Sequence, residues 1–492
     1  MYRLVLYYLI FLLAAAIGLS LSGQLHYSPV TIGFSSIYLV TVCYVSNKIF
    51  AYVYDVPTNV ESVYITALIL ALIITPVTTA FGVLFLTAAG GLAMASKYML
   101  AINRKHIFNP AAIAVVLTAF GAQQTASWWI GTTALLPFVL IGGVLLIRKI
   151  NRTEMVLGFL ASATAVTALL SFINSQNTVT TLHRLVFSSA LFFLAFVMLT
   201  EPLTSPTTKH KQIWYGLLVG AFLSPQIHIG SLYLTPEIAL IIGNVYAYIV
   251  SPKVKILPLL TKKVRVSPDS VDFIFDPERK FAYKPGQYME WTIPHTNTDS
   301  RGNRRYFTLA SSPTETNIRI GVKFYSNGSS FKKAMLTIDN RSQVVASNLG
   351  GDFVLPKDSS KKIAFIAGGI GITPYRGMIK YLSDTKTPQP VTLLYSATSA
   401  EDFVYTDVFE EAKQTLGIKT VYTITGANVP AEWRGRTGMV SAEMIQSEIP
   451  DYNERLFYIS GSQTMVTSVK ETLQSLGVTN NHIKGDFFPG YS

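Results

Sequence analysis

The 492-residue chain is half hydrophobic and only 14% charged, which excludes a single soluble domain. Its formal charge of +12 does not indicate nucleic-acid binding, because the basic residues flank apolar segments, as in the cytoplasmic loops of membrane proteins. Cys43 is the only cysteine, so neither an internal disulfide nor a four-cysteine iron–sulfur cluster can form within the chain.

Apolar runs fill the chain up to about residue 251. The longest approach or reach the thickness of a bilayer: residues 4–22, 128–147, 155–172, 185–200 and 238–250. The first run opens with Arg3 and lacks the small-residue cleavage site of a signal peptide, so we interpret it as a retained helix. The pattern predicts a polytopic α-helical membrane domain over residues 1–255, with roughly nine or ten segments, some short or broken.

A basic cluster at residues 253–265 follows the final apolar run. Under the positive-inside rule such a cluster lies in the cytoplasm, together with the chain that follows it. We therefore expect a multi-pass protein of the inner (cytoplasmic) membrane, embedded in the lipid bilayer, with a cytoplasmic C-terminal half and no nucleic-acid partner.

Two apolar segments have a similar layout. One spans residues 61–76 and the other spans residues 188–202, and each ends at a proline that is followed by a basic loop and a new helix. Proline-interrupted hydrophobic segments at corresponding positions predict an internal, inverted repeat with a central ligand site. Two proline-broken helices that resemble each other by chance would give the same pattern.

Two motifs in this half are specific: residues 108–111 read Phe-Asn-Pro-Ala, and residues 200–208 read Thr-Glu-Pro-Leu-Thr-Ser-Pro-Thr-Thr. With these motifs, most of residues 55–250 resembles the integral-membrane subunits shared by sodium-pumping NADH:quinone reductases and Rnf complexes. The resemblance implies a membrane flavin, which in that family includes an FMN esterified within Ser/Thr-x-Ala-Thr. The nearest candidate here begins with Ile130 and lacks the first hydroxyl, so we expect non-covalent FMN.

A polar segment after Glu201 offers hydrogen-bond donors and positive charge: Thr204, Ser205, Thr207, Thr208 and Lys209. Such groups suit a phosphate at a membrane edge, and with Asn109 of the Asn-Pro-Ala motif they form the predicted membrane-flavin site. The alternative is a polar cytoplasmic loop without a ligand. Glu201, where the family usually has aspartate, is a candidate cation or proton site, or a local cap or ion-pair partner.

Strand-like segments follow residue 262, at residues 264–275 and 288–293. After them, residues 305–313 read Arg-Tyr-Phe-Thr-Leu-Ala-Ser-Ser-Pro. A guanidinium suits a pyrophosphate, an aromatic ring suits an isoalloxazine face, and a nearby hydroxyl can meet the polar edge of that ring. The alternative is an ordinary strand and turn. The predicted flavin clamp consists of Arg305, Tyr306, Phe307, Thr308 and Ser311.

A second part of the flavin site is predicted downstream. Gly328, Ser329 and Ser330 open a helix at residues 332–336, and the N–H groups and hydroxyls at a helix start can receive the FAD pyrophosphate, unless the serine only caps the helix. The motif at residues 305–313 resembles the flavin signature of the ferredoxin-NADP reductase superfamily, which is Arg-x-Tyr-Ser or a close variant. Phe307 takes the place of the tyrosine and Thr308 that of the serine. The resemblance implies an antiparallel β-barrel FAD domain, here residues 262–358.

The last part of the chain begins with a buried strand at residues 362–367, a glycine-rich turn and a helix at residues 375–382. Glycines let the backbone approach a pyrophosphate, and a helix start favours its charge. Later strands alternate with helices, which predicts a doubly wound α/β nucleotide-binding domain over residues 359–492. In the superfamily this turn binds the nicotinamide nucleotide, and its predicted contacts here are Gly368, Gly369, Gly371, Thr373 and Pro374.

Further positions follow from the same resemblance. Ser460 and Gly461 correspond to the superfamily's Cys-Gly pair beside the hydride path, so Ser460, with Thr308, is a predicted catalytic residue. Tyr491 in the C-terminal tail corresponds to the aromatic that shields the flavin until nicotinamide displaces it. No arginine follows the strand that ends at Ser396, so NADH is favoured over NADPH.

The sequence thus predicts transmembrane electron transfer. Cytoplasmic NADH or NADPH reduces FAD, and electrons pass through a membrane flavin to a quinone or to an extracytosolic flavinylated or metal-containing acceptor. A haem-containing ferric or oxygen reductase is disfavoured, because among the seven histidines only His183 lies convincingly near or in an apolar segment. The remaining alternative is an ion transporter with a regulatory reductase lobe. No metal site is predicted.

Overall fold

The structure is a computed structural model that describes residues 2–55, 60–102, 105–252, 254–342 and 344–487. It consists of two compact units. The helical unit comprises Met1–Lys253 with Ser300–Gly302, and the C-terminal unit comprises Val254–Asp299 with Asn303–Ser492. The division falls where the apolar sequence ends.

The helical unit consists of α-helices and two short hairpins. In chain order the helices are α1 Tyr2–Leu21, α2 Pro29–Val53, α3 Val60–Ile73, α4 Ala80–Met99, α5 Pro110–Ala122, α6 Leu136–Lys149, α7 Thr153–Ile173, α8 Thr178–Phe187, α9 Leu191–Phe193, α10 Lys209–Ala221 and α11 Pro236–Val250. The hairpins pair β1 Ala101–Ile102 with β2 Lys105–His106, and β3 His228–Ile229 with β4 Leu232–Tyr233.

Four helices within the described residues are long and apolar enough to cross a bilayer: α1, α2, α4 and α7. α8 and the segment Leu191–Met198 would together make a fifth, bent by 54°. α6 has only 14 residues, about 21 Å of helix, because a turn at Trp129–Gly131 takes up the first part of the predicted run. The number of full-length spans is therefore lower than the sequence predicts, since the predicted number includes short and broken segments.

The segment that leads to Glu201 is irregular. α9 continues into a π-helical turn, Leu194–Met198, and the Thr200 hydroxyl donates to the Phe196 carbonyl at 2.9 Å. Such turns are rare and frequently lie at functional sites. α3, which is the predicted counterpart of this segment, is a regular helix of 14 residues. The predicted internal repeat is therefore not confirmed.

Two glycines let α10 pack directly on the backbone of α7. A Cβ atom at Gly216 would lie 2.2 Å from the Met155 carbonyl oxygen, and one at Gly220 would lie 2.3 Å from the Phe159 carbonyl oxygen. Small residues spaced four apart allow helices in membranes to approach this closely. Helix association in a bilayer depends on such close van der Waals packing, because lipid tails are as apolar as the side chains and the hydrophobic effect contributes little.

Replacing Gly216 with alanine should destabilise the helical unit by about 1–3 kcal/mol, because the new methyl group must push the two helices apart. The measurement is thermal unfolding of the detergent-solubilised chain. Gly91→Ala in α4 is the matched control, since nothing lies within 4 Å of its added Cβ atom and alanine favours helix. Equal effects of the two substitutions would contradict the close packing of α7 and α10.

The C-terminal unit begins with antiparallel strands and one helix. They are β5 Lys255–Ile256, β6 Leu259–Ser267, β7 Ser270–Asp276, β8 Tyr288–Thr292, β9 Arg304–Thr308, β10 Ile318–Lys323, α12 Ser330–Thr337 and β11 Val345–Gly350. The strands form a three-stranded sheet, β10-β7-β6, and a four-stranded sheet, β5-β11-β8-β9. Buried side chains from both sheets, including Phe273, Phe275 and Trp291, share one core.

The pairing of these strands does not confirm a closed barrel. β9 and β10 belong to different sheets, and the corner between them is joined by a hydrogen bond from Ala310 N to the Arg319 carbonyl at 2.8 Å rather than by a ladder. β5 also pairs with β11, so the first strand precedes residue 262, where the sequence predicts that this domain begins.

The rest of the unit is a parallel sheet with interleaved helices. Its elements are β12 Ile363–Gly368, α13 Thr373–Thr385, β13 Val391–Ala397, α14 Thr406–Leu416, β14 Lys419–Ile424, β15 Arg436–Thr437, α15 Ala442–Glu448, β16 Leu456–Gly461, α16 Gln463–Ser475 and β17 Ile483–Phe487. The strand order is β15-β14-β13-β12-β16-β17. The chain therefore reverses direction across the sheet between β12 and β16. In such sheets, ligands bind in the crevice at the carboxyl ends of the strands where this reversal occurs.

Candidate functional site

The predicted nucleotide turn lies at this reversal point. β12 ends at Gly368, a 3-10 turn covers Gly369–Ile372, and α13 begins at Thr373 with Pro374 in its first turn. A Cβ atom at Gly371 would lie 2.3 Å from the Ser460 carbonyl oxygen, so only glycine allows the turn to approach β16 this closely. The structure thus brings the predicted turn residues together beside β16.

Methionine 465 closes the same crevice from the other side. A Cβ atom at Gly368 would lie 2.1 Å from the Met465 sulfur, and one at Gly461 would lie 2.7 Å from it. Ser460, between these contacts, is fully buried, and its hydroxyl has no hydrogen-bond partner within the described part of the chain. Because buried hydroxyls are normally hydrogen-bonded, this unused group fits a site that takes a polar ligand.

β9 presents its residues on two faces. The side chains of Arg305 and Phe307 point to the same face of the strand, where α12 begins. The Arg305 guanidinium lies 5.2 Å from the Phe331 ring, and the Phe307 ring lies 6.0 Å from the same ring. Tyr306 and Thr308 alternate to the opposite face. Tyr306 is 43% exposed and packs edge-on against Tyr288, whereas Thr308 is buried. The structure therefore groups Arg305 with Phe307 and separates Tyr306 from them.

A carboxylate occupies the predicted pyrophosphate position. Asp299 Oδ2 accepts a hydrogen bond from Ser330 N at 3.1 Å, and its Oδ1 lies 3.5 Å from Arg305 Nη2. The Asp299 oxygens thus stand in for phosphate oxygens between a helix start and a guanidinium, which shows that these donors fit an anion. FAD would have to displace Asp299 from them.

The hydroxyls predicted for this site are used within the protein. Ser329 Oγ accepts from Lys332 N at 3.3 Å and so caps α12, and Ser330 Oγ accepts from Asp299 N at 2.9 Å. Gly328 N donates to the Tyr325 carbonyl at 2.9 Å. At the start of α12, the structure therefore supports a role for backbone N–H groups more than for side chains.

Ser311 departs from the prediction in the same way. Its Oγ accepts from Arg319 N and from the Tyr283 hydroxyl, each at 3.1 Å, and the residue is fully buried. Ser311 therefore holds the corner after β9 instead of presenting its hydroxyl to a cofactor. The predicted shielding residue, Tyr491, lies outside the described residues.

Buried polar contacts join the two parts of the C-terminal unit. Asp272 of β7 is fully buried and accepts from Arg319 Nη1 at 2.8 Å and from the Tyr405 hydroxyl at 2.5 Å. Burial raises the pKa of Asp272, and the hydrogen bonds from Tyr405 and Arg319 oppose this rise. Tyr405 immediately precedes α14, so this contact ties the nucleotide-binding part to the antiparallel sheets.

A second contact lies beside the nucleotide turn. Arg376, one turn into α13, donates to the Ala310 carbonyl at 3.0 Å and to Glu315 Oε1 at 2.9 Å. Burial favours the neutral form of Glu315, but the hydrogen bonds and charge of Arg376, together with the hydrogen bond from Ser312 N and the charge of Arg319, outweigh it and lower the pKa of this carboxyl. α13 therefore rests on the segment that directly follows the flavin clamp. The sequence offers no local signal for these pairs, because the partners are far apart in the chain.

The helical unit contains a partly buried network around Glu201. Asn109 Nδ2 donates to Glu201 Oε2 at 2.8 Å, the Thr204 hydroxyl donates to the same oxygen at 2.9 Å, and His106 Nε2 lies 3.4 Å from Oε1. Asn244 supports the network by accepting from Asn109 N at 2.8 Å. Asn109 and Thr204, which the sequence assigns to a flavin, thus hold Glu201 in place.

The other predicted ligands of a membrane flavin do not form one cluster with them. Ser205 is buried, whereas Lys209 is exposed at the start of α10 and lies 3.4 Å from Glu154. Thr208 occupies the cap position of α10 without a side-chain cap hydrogen bond, and both Thr207 and Thr208 are partly buried. The predicted site therefore divides into buried residues near Glu201, two partly buried threonines and an exposed lysine.

These features fit one class of protein. The C-terminal unit has the predicted clamp strand and a glycine-rich turn at the reversal point of a parallel sheet, where ligands bind in such sheets, and this arrangement agrees with the predicted flavin reductase. The helical unit has the apolar helices of a membrane protein.

Comparisons with known proteins agree with both assignments. Residues 365–471 match the family model "Oxidoreductase NAD-binding domain", and residues 123–253 match the family model "NQR2, RnfD, RnfE family". The matches confirm both resemblances that the sequence predicts. The match to the NAD-binding domain agrees with the predicted class of NAD(P)H-dependent flavin oxidoreductase.

Individual relatives match part of the chain. A glycine betaine monooxygenase reductase subunit from Chromohalobacter salexigens is 24% identical over 219 residues, 44% of this chain and 59% of the relative. A flavohemoprotein from Bacillus cereus is 26% identical over 249 residues, 47% of this chain and 60% of the relative. The chain thus spans about three fifths of the length of these relatives. Among solved structures, the FAD/NAD binding domain of nitric oxide dioxygenase from Vibrio cholerae has 20% identity and a TM-score of 0.42, and the match covers 47% of this chain and 98% of that domain.

Proposed function

We propose that the protein oxidises NAD(P)H in the cytoplasm and transfers the electrons across the inner membrane. The path runs from FAD in the C-terminal unit to a non-covalent FMN in the helical unit. It continues to a quinone or to an extracytosolic flavinylated or metal-containing acceptor. The observation that carries the proposal is the docking of α13, which begins in the nucleotide turn, on the segment that follows the flavin clamp.

The residues of the chain have separate tasks in this scheme. Arg305 and the N–H groups at the start of α12 bind the FAD pyrophosphate, and Phe307 packs beside the ring system. Gly368, Gly369 and Gly371 admit the nicotinamide nucleotide, and Ser460 positions its ring through the unused hydroxyl. Bound FAD supplies the chemistry of accepting a hydride and releasing single electrons.

Acidic residues near the adenosine position favour NADH. β13 ends at Ala397, and the turn after it, Ala400–Asp402, carries Glu401 and Asp402. The Asp402 carboxylate lies 3.8 Å from the Lys323 ammonium, which leaves Glu401 to repel the 2′-phosphate of NADPH, and this segment holds no arginine to bind that phosphate.

The histidine positions disfavour haem in the helical unit. His106 lies beside Glu201, His183 stacks on Phe187 of its own helix at 4.6 Å, and His228 is 3.0 Å from the Gly230 carbonyl. Bis-histidine haem needs two rings that face each other across helices. Ion transport is the second candidate, because the partly buried Glu201 network is the kind of site at which membrane proteins handle cations or protons.

The test is chromatography of the cofactors released by acid from the purified, detergent-solubilised chain, with each counted per polypeptide. We expect FAD and FMN in near-equal amounts, together with NADH-dependent reduction of a quinone. FAD alone would contradict the membrane flavin and leave a reductase lobe of unknown acceptor. A haem spectrum would support the alternative reductase, and the absence of NADH-dependent electron transfer in membranes would support the transporter.

A further inference from the structure

The start of α12 is linked to a histidine that lies outside both predicted parts of the flavin site. His295 belongs to the segment between β8 and β9, and its Nε2 atom is 3.1 Å from Ser330 Oγ. Ser330 is the first residue of α12, and its N–H donates to the Asp299 carboxylate, which stands in for phosphate oxygens. We propose that His295 is a positioning residue of the FAD site, which directs the Ser330 hydroxyl and, in its protonated form, adds a positive charge beside the pyrophosphate.

The hydrogen bonds of His295 determine which nitrogen carries the hydrogen in the neutral ring. Nδ1 lies 2.8 Å from the Ile293 carbonyl oxygen, which can only accept, so the hydrogen is on Nδ1. Nε2 of the neutral ring is therefore an acceptor, and the Ser330 hydroxyl donates to it. The same hydroxyl oxygen accepts from Asp299 N at 2.9 Å. The single hydrogen of the hydroxyl is thus directed to the neutral ring rather than to an anion.

Protonation of His295 reverses this hydrogen bond. Both ring nitrogens of an imidazolium donate, so Nε2–H then donates to the Ser330 oxygen and releases the hydroxyl hydrogen. That hydrogen becomes available to a phosphate oxygen next to the Ser330 N–H. Hydrogen bonds with one charged partner are roughly twice as strong as neutral ones. The start of α12 therefore gains a donor and a nearby positive charge in one step.

The ring of His295 is held by packing as well as by hydrogen bonds. It is partly buried and meets the fully buried Phe331 ring edge-on, with the ring centroids 6.4 Å apart. The Arg305 guanidinium lies 5.2 Å from the same Phe331 ring. The histidine and the clamp arginine therefore share one aromatic neighbour at the start of α12.

The charges around this ring set the sign of its effect. Asp299, in the same segment, favours the charged ring, and Arg305 of β9 opposes it. Lys332 of α12 directs its ammonium to the Lys323 carbonyl at 2.6 Å. Bound FAD adds the negative charge of its pyrophosphate, so it favours the imidazolium more than the unliganded site does. By linkage, FAD should bind more tightly as the pH falls through the range in which histidine titrates.

The test is titration of the FAD-depleted full chain in detergent with FAD, followed by flavin fluorescence, at about pH 5.5 and about pH 8. His295→Gln keeps a group that accepts from Ser330 but carries no charge, and His295→Phe keeps a ring without either hydrogen bond. We expect the wild type to bind FAD at least about threefold more tightly at the lower pH. His295→Gln should match the wild type at the higher pH and gain no affinity at the lower one. His295→Phe should bind FAD about 3- to 10-fold more weakly than the wild type even at the higher pH.

His482→Gln is the matched control. His482 is exposed in the turn Asn480–His482 before β17, so the same substitution there should leave both the affinity for FAD and its pH dependence unchanged. An affinity of His295→Gln that varies with pH as that of the wild type does would overturn the inference. Binding of FAD by His295→Phe as tight as that of the wild type would also overturn it. Should His295→Phe fail to fold, the pH dependence of His295→Gln decides alone.

The inference rests on the FAD site of the proposed function, but not on the membrane flavin or the final acceptor. A wild type that binds no FAD at either pH would overturn the proposed function together with the inference. Tight binding of FAD that is indifferent to His295 would overturn the inference alone, because the FAD site would then stand without the histidine.

Discussion

Replacing Arg305 with glutamine should release FAD from the purified chain. The guanidinium lies above the Phe331 ring, next to the start of α12, where it supplies the positive charge for the pyrophosphate. A hydrogen bond to a charged group contributes about 1.5–3 kcal/mol, so FAD should bind about 10- to 100-fold more weakly. The measurement is FAD retained per chain after gel filtration, followed by titration of the depleted protein with FAD.

Two further variants make this prediction specific. Arg265→Gln, on exposed strand β6, removes the same charge without touching the clamp and should retain FAD. Asp299→Asn removes the carboxylate that competes for Ser330 N and Arg305, so it should bind FAD as well as or better than the wild type. Weaker FAD binding by Asp299→Asn would show that this carboxylate supports the site instead of standing in for the ligand.

The sequence predicts elements whose signals are local. The buried strand, glycine turn and helix around Gly368 appear where their pattern places them, because a glycine turn between an apolar run and an amphipathic helix leaves few alternatives. The clamp residues Arg305 and Phe307 also share one face, as strand alternation requires.

The sequence is less informative where a polar side chain can form a hydrogen bond either with a ligand or with another part of the protein. Ser311 and Ser330 have the hydroxyls expected of ligand contacts, but these hydroxyls accept hydrogen bonds from Arg319 N and Asp299 N. Asn109 and Thr204 similarly belong to a motif typical of a ligand site, but both hydrogen-bond to Glu201. Most of these tertiary contacts join residues that are many positions apart in the chain. Local periodicity and motif spacing therefore do not predict them.

Replacing Arg376 with methionine should slow reduction of the flavin by NADH at least about tenfold while FAD remains bound. Arg376 is 5% exposed and holds α13 to the segment after the clamp strand through the Ala310 carbonyl and Glu315. Its loss leaves Glu315 without its charge partner and lets the nucleotide turn move relative to the flavin. A displacement of about 1 Å at a reacting centre can cost about 100-fold in rate.

The measurement is stopped-flow reduction of bound FAD at saturating NADH, which separates the reduction rate from nucleotide affinity. Lys380→Gln is the matched control, because Lys380 lies on the same helix and its substitution removes a positive charge that pairs with Asp384 of that helix at 2.7 Å, without removing the contacts of Arg376 with the Ala310 carbonyl and Glu315. Glu315→Gln and the double variant complete a cycle, in which the two single effects should not add, since both remove the same contact. Additive effects, or a loss of rate that only follows loss of folded protein, would mean that Arg376 stabilises the unit without setting the distance between nicotinamide and flavin.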